Sequence, residues 1–127
     1  QGKLKNLVKN NKLLVDGSHN CLGAKVLNEY LENLDCKKHI ILGMMANKNH
    51  QEYFAYFKNI SSLTTIDIPN QPNSIKGIEL KKKLNNYKDA QYKRSIIEAI
   101  KSIPLEENDL ILITGSLYLA GEVLNLN

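Results

Sequence analysis

The chain has 127 residues, 43% of them hydrophobic and 24% charged, with a formal net charge of +4. That is enough for one compact domain over residues 1–127 and too little for two; the mild positive balance suits small anionic ligands and falls short of a nucleic-acid footprint. No apolar run reaches the roughly 18 residues of a bilayer span, the first residues do not read as a signal peptide, and Cys21 and Cys36 have neither zinc-site nor disulfide-scaffold spacing. A soluble, cytoplasmic protein with reduced thiols is expected.

Lys12-Leu13-Leu14-Val15 reads as a first strand stopped by Asp16-Gly17. From Asn20 to Asn33 the residues Leu22, Val26, Leu27, Tyr30, Leu31 and Leu34 recur at helical spacing, with Asn20 as the cap. His39 to Met44 is a continuous apolar run of the kind a buried parallel strand requires. Gln51–Lys58 is a short helix carrying Tyr53, Phe54 and Phe57, and Leu63–Ile68 a third strand ended by Pro69. Gln71–Ser74 is a turn, with Ser74 expected to cap a helix through Leu84. Gln91–Ile103 reads as a further helix with Ile96, Ile97 and Ile100 inward, and Pro104 ends it. Asp109–Thr114 is the last strand and Ser116–Leu124 the closing helix. Strands alternating with helices predict a mostly parallel α/β sheet with helices on both faces.

Ligands of open α/β sheets bind at the carboxyl ends of the strands. Three such ends carry polar residues: Asp16–Asn20, Gly43–Asn49 and Thr114–Ser116. Gly17 permits a tight turn that displays Asp16 and His19 before a helix start, where free amides favour anions. Asp16 can accept from a ribose hydroxyl. His19 can hold a phosphate or carboxylate oxygen through a charge-assisted bond of about 1.5–3 kcal/mol. Equally open are Asp16 as a turn residue, His19 as a surface or capping histidine, and Ser116 as a helix cap rather than a ligand donor.

Two lysine features carry less. Gly17 to Lys25 superficially has the look of a phosphate loop, but the glycine spacing is one too long and no Ser or Thr follows Lys25. Lys81, Lys82 and Lys83 lie beside Leu80 and Leu84 and read as a solvated helix face.

Together the loops resemble a known family. Leu13 to Asn20 is similar to the "LLLDGAHNP" signature of folylpolyglutamate and dihydrofolate synthases, within the Mur-ligase-type superfamily. Gly43 to Asn49 is similar to its "GMLxDKD" segment, and Thr114 to Val123 to its "TGSLYLVGEV" ending. Gly2-Lys3-Leu4 sits where the family carries "PGRLQ", so the resemblance covers essentially the whole chain.

The resemblance implies a Rossmann-like fold of the Mur ligase C-terminal type and a reaction in which ATP activates a carboxylate to an acyl phosphate. An amine, L-glutamate, then attacks; the acceptor is dihydropteroate or tetrahydrofolate. It further implies that the P-loop, the Mg2+ ligands and most of the folate site belong to a larger N-terminal domain. ATP and Mg2+ would then be held mainly outside this chain, which begins at Gln1 and reads as a piece of a longer monomeric protein. By the same resemblance no residue of this domain acts catalytically or binds metal by itself, and the chain is inactive alone. Asp16, His19 and Lys3 correspond to nucleotide-contacting positions, and Ser116, His19 and Lys48 to positions around the incoming glutamate.

Four of the chain's departures from the pattern bear on the expected contacts. Lys3 replaces an arginine whose planar fork a lysine cannot reproduce, Asn47 and Asn49 replace both aspartates around Lys48, and Cys21 replaces a proline at the helix start. Two alternatives therefore stand beside the ligase domain: a non-catalytic binding module, and the C-terminal domain of another Mur-type amino-acid ligase.

Overall fold

Strands and helices alternate through the computed structural model, which describes residues 3–8 and 11–126. The elements are α1 (Lys3–Val8), β1 (Lys12–Asp16), α2 (Cys21–Glu32), β2 (Lys38–Leu42), α3 (His50–Ala55), β3 (Ser62–Thr65), α4 (Gly77–Lys83), β4 (Gln91–Tyr92), α5 (Ile96–Ser102), β5 (Leu110–Thr114) and α6 (Leu117–Leu126). The sheet runs β1-β5-β2-β3-β4, and its four pairings are all parallel. The predicted α/β architecture is therefore the observed one.

The chain order explains why helices cover both faces. From β1 to β4 it steps in one direction across the sheet, and from β4 it returns to place β5 between β1 and β2. Right-handed crossovers put helices on one face during the outward steps and on the other after the return. Accordingly α2, α3 and α4 share one apolar cluster with Leu14, Ile40, Leu42, Leu63, Leu110 and Leu112. Helices α1, α5 and α6 share the other with Val15, Ile41, Ile111 and Ile113. Successive strand residues alternate between the two clusters, which is the period of a pleated strand. Both β2 and β5 are buried along their whole length, the apolar runs Ile40–Leu42 and Leu110–Ile113 on both faces and the polar Lys38, His39 and Thr114 at their ends.

Asn20 caps α2 as expected, accepting from the Gly23 N–H at 2.9 Å. The buried face of α2 differs from the expected one: Ala24, Leu27, Asn28 and Leu31 face the core, while Leu22, Val26 and Tyr30 are exposed. The helix carries two apolar stripes, and only one can face the sheet.

Other boundaries need correction. Gln91 and Tyr92 form the short edge strand β4, and Ser95 starts α5 by accepting from the Glu98 N–H at 3.2 Å. The expected 91–103 helix is thus confined to its second half. Ser74 caps nothing; its hydroxyl donates back to the Gln71 carbonyl, and α4 starts where Asp67 Oδ1 accepts from the Gly77 N–H at 2.7 Å. Strand β3 ends at Thr65, three residues short of the expected Ile68, and α3 ends at Ala55 rather than Lys58. Helix α1 is an element beyond those expected; it packs Leu4 and Val8 into the second cluster, with Leu7 beside them at the i, i+3, i+4 spacing.

At the amino ends of the strands, a buried polar chain crosses the sheet. His39 bonds Ser62 Oγ through Nδ1 at 2.7 Å and Asp109 Oδ2 through Nε2 at 2.9 Å, tying β5, β2 and β3 together. Burial alone would raise the Asp109 carboxyl. The Glu106 N–H and His39 outweigh it and hold the group below its ordinary value. Leu80 and Leu84 are buried whereas Lys82 and Lys83 are exposed, which supports the solvated reading of that run. Among the described residues no helix is long and apolar enough to cross a membrane.

Candidate functional site

Asp16, Thr114 and Leu42 sit at one register level across β1, β5 and β2. The three polar loops therefore leave neighbouring strands side by side. One leads to α2 on the first face and another to α6 on the second, so the chain parts here and opens a crevice.

Each loop is held by its own short-range bonds. In the first, Asp16 Oδ1 accepts from the Ser18 N–H at 2.7 Å, which makes a local turn. Gly23 packs so tightly on this loop that an added Cβ would lie 2.6 Å from Ser18 Cβ. In the second, Asn49 caps α3 by accepting from the Glu52 N–H at 3.2 Å. An asparagine does that work as well as an aspartate, so this departure from the family pattern keeps the cap and drops the charge. The His50 ring, 3% exposed, bonds the Met45 carbonyl at 2.9 Å.

The third loop turns at Gly115, whose φ is 114°. Ser116 follows, 1% exposed, its Oγ accepting from the N–H groups of Tyr118 at 3.0 Å and Leu119 at 3.4 Å. Ser116 is thus a helix cap. Capping uses only the oxygen, so its O–H remains free to donate to a bound group.

A cleft of about 710 Å3 lies between the second and third loops, and His19, Lys48 and Ser116 all line it. Asn73 and Tyr118 are among the other residues of its wall; no carboxylate lines the cleft among the described residues. Asn73 is brought there by backbone bonds from Ala46 N–H to Asn73 O at 2.8 Å and from Ile75 N–H to Met44 O at 3.0 Å. His19 Nδ1 is buried and has no hydrogen-bond partner in the protein. Native proteins seldom leave such an atom unpaired. A cationic lysine, an unpaired imidazole nitrogen, a serine O–H and the amino end of α6 form a setting for an anion.

The expected residues do not all converge. Asp16 faces a separate apolar groove of about 630 Å3 beside Leu14, Leu22, Val26 and Tyr30, on the other side of its loop from the cleft. Lys3 opens α1, but its side chain lies outside the described part of the structure, as does Gly2. Lys25 is exposed on α2, away from any phosphate-loop geometry. Cys21 does not weaken the start of α2, since Asn20 supplies the cap; its thiol bonds Glu52 Oε1 at 2.9 Å, and that bond pushes the thiol up. No group of three or more His, Cys, Asp or Glu that could hold a metal ion occurs among the described residues.

Asn73, Tyr118 and Tyr53 were not singled out as site residues by the sequence reading. Tyr118 lies inside the "TGSLYL" stretch and Asn73 inside a recognisable turn, so both were within reach. Tyr53 had no signal beyond an apolar helix face.

Comparison with known proteins agrees with this geometry. Residues 4–117 match the family described as Mur ligase, glutamate ligase domain. No curated protein matches the chain. Among solved structures, a Mycobacterium tuberculosis folylpolyglutamate synthase complexed with ADP and AMPPCP superposes with a TM-score of 0.79 at 19% identity, covering 90% of this chain and 29% of that one. A bifunctional folylpolyglutamate synthase/dihydrofolate synthase from Yersinia pestis, complexed with AMPPNP and Mn ion, gives 0.76 at 17% identity over 89% of this chain and 28% of its own. The Thermotoga maritima folylpolyglutamate synthase gives 0.74 at 24% identity, over 87% and 26%. The chain thus spans under a third of the length of these proteins and shares the fold of that part. It belongs to the Mur ligase family, as its glutamate ligase domain.

Proposed function

We propose that residues 1–127 are the C-terminal domain of an ATP-dependent ligase that joins L-glutamate to dihydropteroate or a reduced folate through an acyl phosphate. A P-loop domain outside these residues would hold ATP and most of the folate, and this domain would close over them. The observation that carries the reading is the carboxylate-free cleft into which His19, Lys48 and Ser116 all face. Such a cleft favours a phosphate oxygen or the carboxylate of an amino acid, and its lack of negative charge lets both approach.

The roles follow from the atoms available. His19 Nδ1, unpaired within the protein, meets a phosphate or carboxylate oxygen. Ser116 donates its O–H while its oxygen continues to cap α6. Lys48 supplies a mobile positive charge at the rim. Asp16 Oδ2 is free to accept from a ribose hydroxyl beside the apolar groove. Closure over the partner domain would exclude water, which protects an acyl phosphate from hydrolysis. The described residues offer no ligand set for Mg2+, and no role above depends on it.

The test is a ligation assay on the natural full-length protein, with ATP, L-glutamate and either dihydropteroate or tetrahydrofolate, read by mass spectrometry. Glutamate addition that requires ATP and falls at least tenfold in His19→Ala is the expected result. Ligation only to a cell-wall-type acceptor would replace the folate reading with the other Mur-type one. Nucleotide binding without any product would leave the non-catalytic binding module, and the absence of both would count against both readings.

A further inference from the structure

Tyr53 is 1% exposed and stands on α3, the helix that follows the Lys48 loop. Its phenol oxygen lies 2.8 Å from Thr114 Oγ1, 3.0 Å from Ser18 Oγ and 3.1 Å from the Ser18 carbonyl. A phenol has one proton and two lone pairs. Donation to the Ser18 carbonyl and acceptance from the two hydroxyls use all three, so the group is fully satisfied. Ser18 is the residue between Asp16-Gly17 and His19. Thr114 is the last residue of β5, directly before Gly115-Ser116.

One side chain therefore joins the loops that bear His19 and Ser116, and does so from the helix that bears the Lys48 loop at its start. The two hydroxyls it joins come from different strand ends, and Tyr53 is the group that spans them. Ser18 stands where the family signature has alanine, so its hydroxyl adds a contact to the Tyr53 phenol that an alanine would not make.

We propose that Tyr53 is a positioning residue: its phenol locks the Asp16–Asn20 loop to the end of β5 and so fixes the distance between His19 and Ser116 across the cleft. The inference rests on the proposed function for its kinetic consequence and on geometry alone for its structural one. Without the phenol oxygen, the Asp16–Thr114 strand pairing and each loop's own turns and caps remain, but the tie from Ser18 to Thr114 beyond the strand ends is lost. The cost should fall on binding of the group held between His19 and Ser116 rather than on folding, because Tyr53→Phe retains the buried ring.

The experiment compares wild type, Tyr53→Phe, Ser18→Ala and the double variant in the natural full-length protein. It uses steady-state kinetics with L-glutamate as varied substrate and amide hydrogen exchange read by mass spectrometry. Tyr53→Phe is expected to raise KM for glutamate about tenfold, equal to about 1.4 kcal/mol, with kcat changed less than about threefold. Ser18→Ala should give a smaller rise, and the double variant should be no worse than Tyr53→Phe alone. Exchange should quicken together at residues 17–20 and 115–118. A KM within twofold of wild type in Tyr53→Phe overturns the proposal, whatever happens to thermal stability. If the wild-type protein ligates no glutamate, the functional reading fails and exchange decides. Quickening at both loops then upholds the positioning role, and quickening confined to residues 50–57 overturns it.

Discussion

Gly115 holds a φ of 114°, a region that side-chain-bearing residues rarely enter, and sits against the end of β2. A Cβ built there would lie 2.4 Å from the Gly43 carbonyl oxygen, 2.7 Å from Leu42 Cδ1 and 3.0 Å from Met44 Cγ. In Gly115→Ala the first of these contacts is with backbone and cannot be relieved by a rotamer change, so β5 and β2 must part at the mouth of the cleft. The backbone strain contributes about 1–3 kcal/mol and the overpacking about 1–3 kcal/mol more. Together they predict a loss of roughly 2–6 kcal/mol. For a domain of this size that corresponds to a fall in Tm of at least about 8 °C. Thermal unfolding followed by circular dichroism measures it, with Gly121→Ala as the control because an added Cβ there meets nothing within 4 Å. A Tm for Gly115→Ala within about 3 °C of wild type would refute the claim that the loops abut at this glycine.

Asp109→Asn should flatten the acid limb of stability. The folded carboxyl is held below its ordinary value, so its contribution is complete above the ordinary carboxylate range and is lost as pH falls through the lowered value; urea unfolding at pH 2–5 checks this. Ser116→Ala removes the cap of α6 and should cost about 1 kcal/mol in denaturant unfolding. Lys48→Ala should leave the midpoint unchanged while weakening pyrophosphate binding in a salt-dependent way. Tyr92, bonded to Asp67 Oδ2 at 2.5 Å, has its phenol pushed up to about 12 chiefly by that bond, so folding favours the protonated form. Its contribution is present below the ordinary tyrosine value near 10 and is lost as pH rises toward 12. An alkaline absorbance titration of Tyr92→Phe should lack that late tyrosinate, and an unchanged curve would contradict the assignment.

The α/β alternation and the polar strand ends could be read directly because Ile40–Leu42 and Leu110–Ile113 are apolar on both pleat faces, as a strand covered on both sides requires. The convergence of His19, Lys48 and Ser116 was a topological expectation, and it depended on β5 lying between β1 and β2. No local pattern encodes that order. Gln91-Tyr92 is too short to show a strand period, and it pairs only because Thr64 and Thr65 present an open edge. Leu22, Val26 and Tyr30 have the spacing of a buried stripe yet stay outside, since Ala24 and Leu27 give closer approach to the sheet. His39 and Tyr53 matter through partners 70 and 61 residues away, a distance over which sequence pattern is silent.

The proposed function requires three loops to act as one anion site. Its most direct test is a titration of the 15N-labelled chain with ADP and with pyrophosphate, followed by amide chemical shifts. The account predicts that shifts concentrate at residues 18–20, 47–49 and 115–118 and saturate with one common affinity. Shifts centred on Lys81–Lys83, or different affinities for the separate loops, would contradict it.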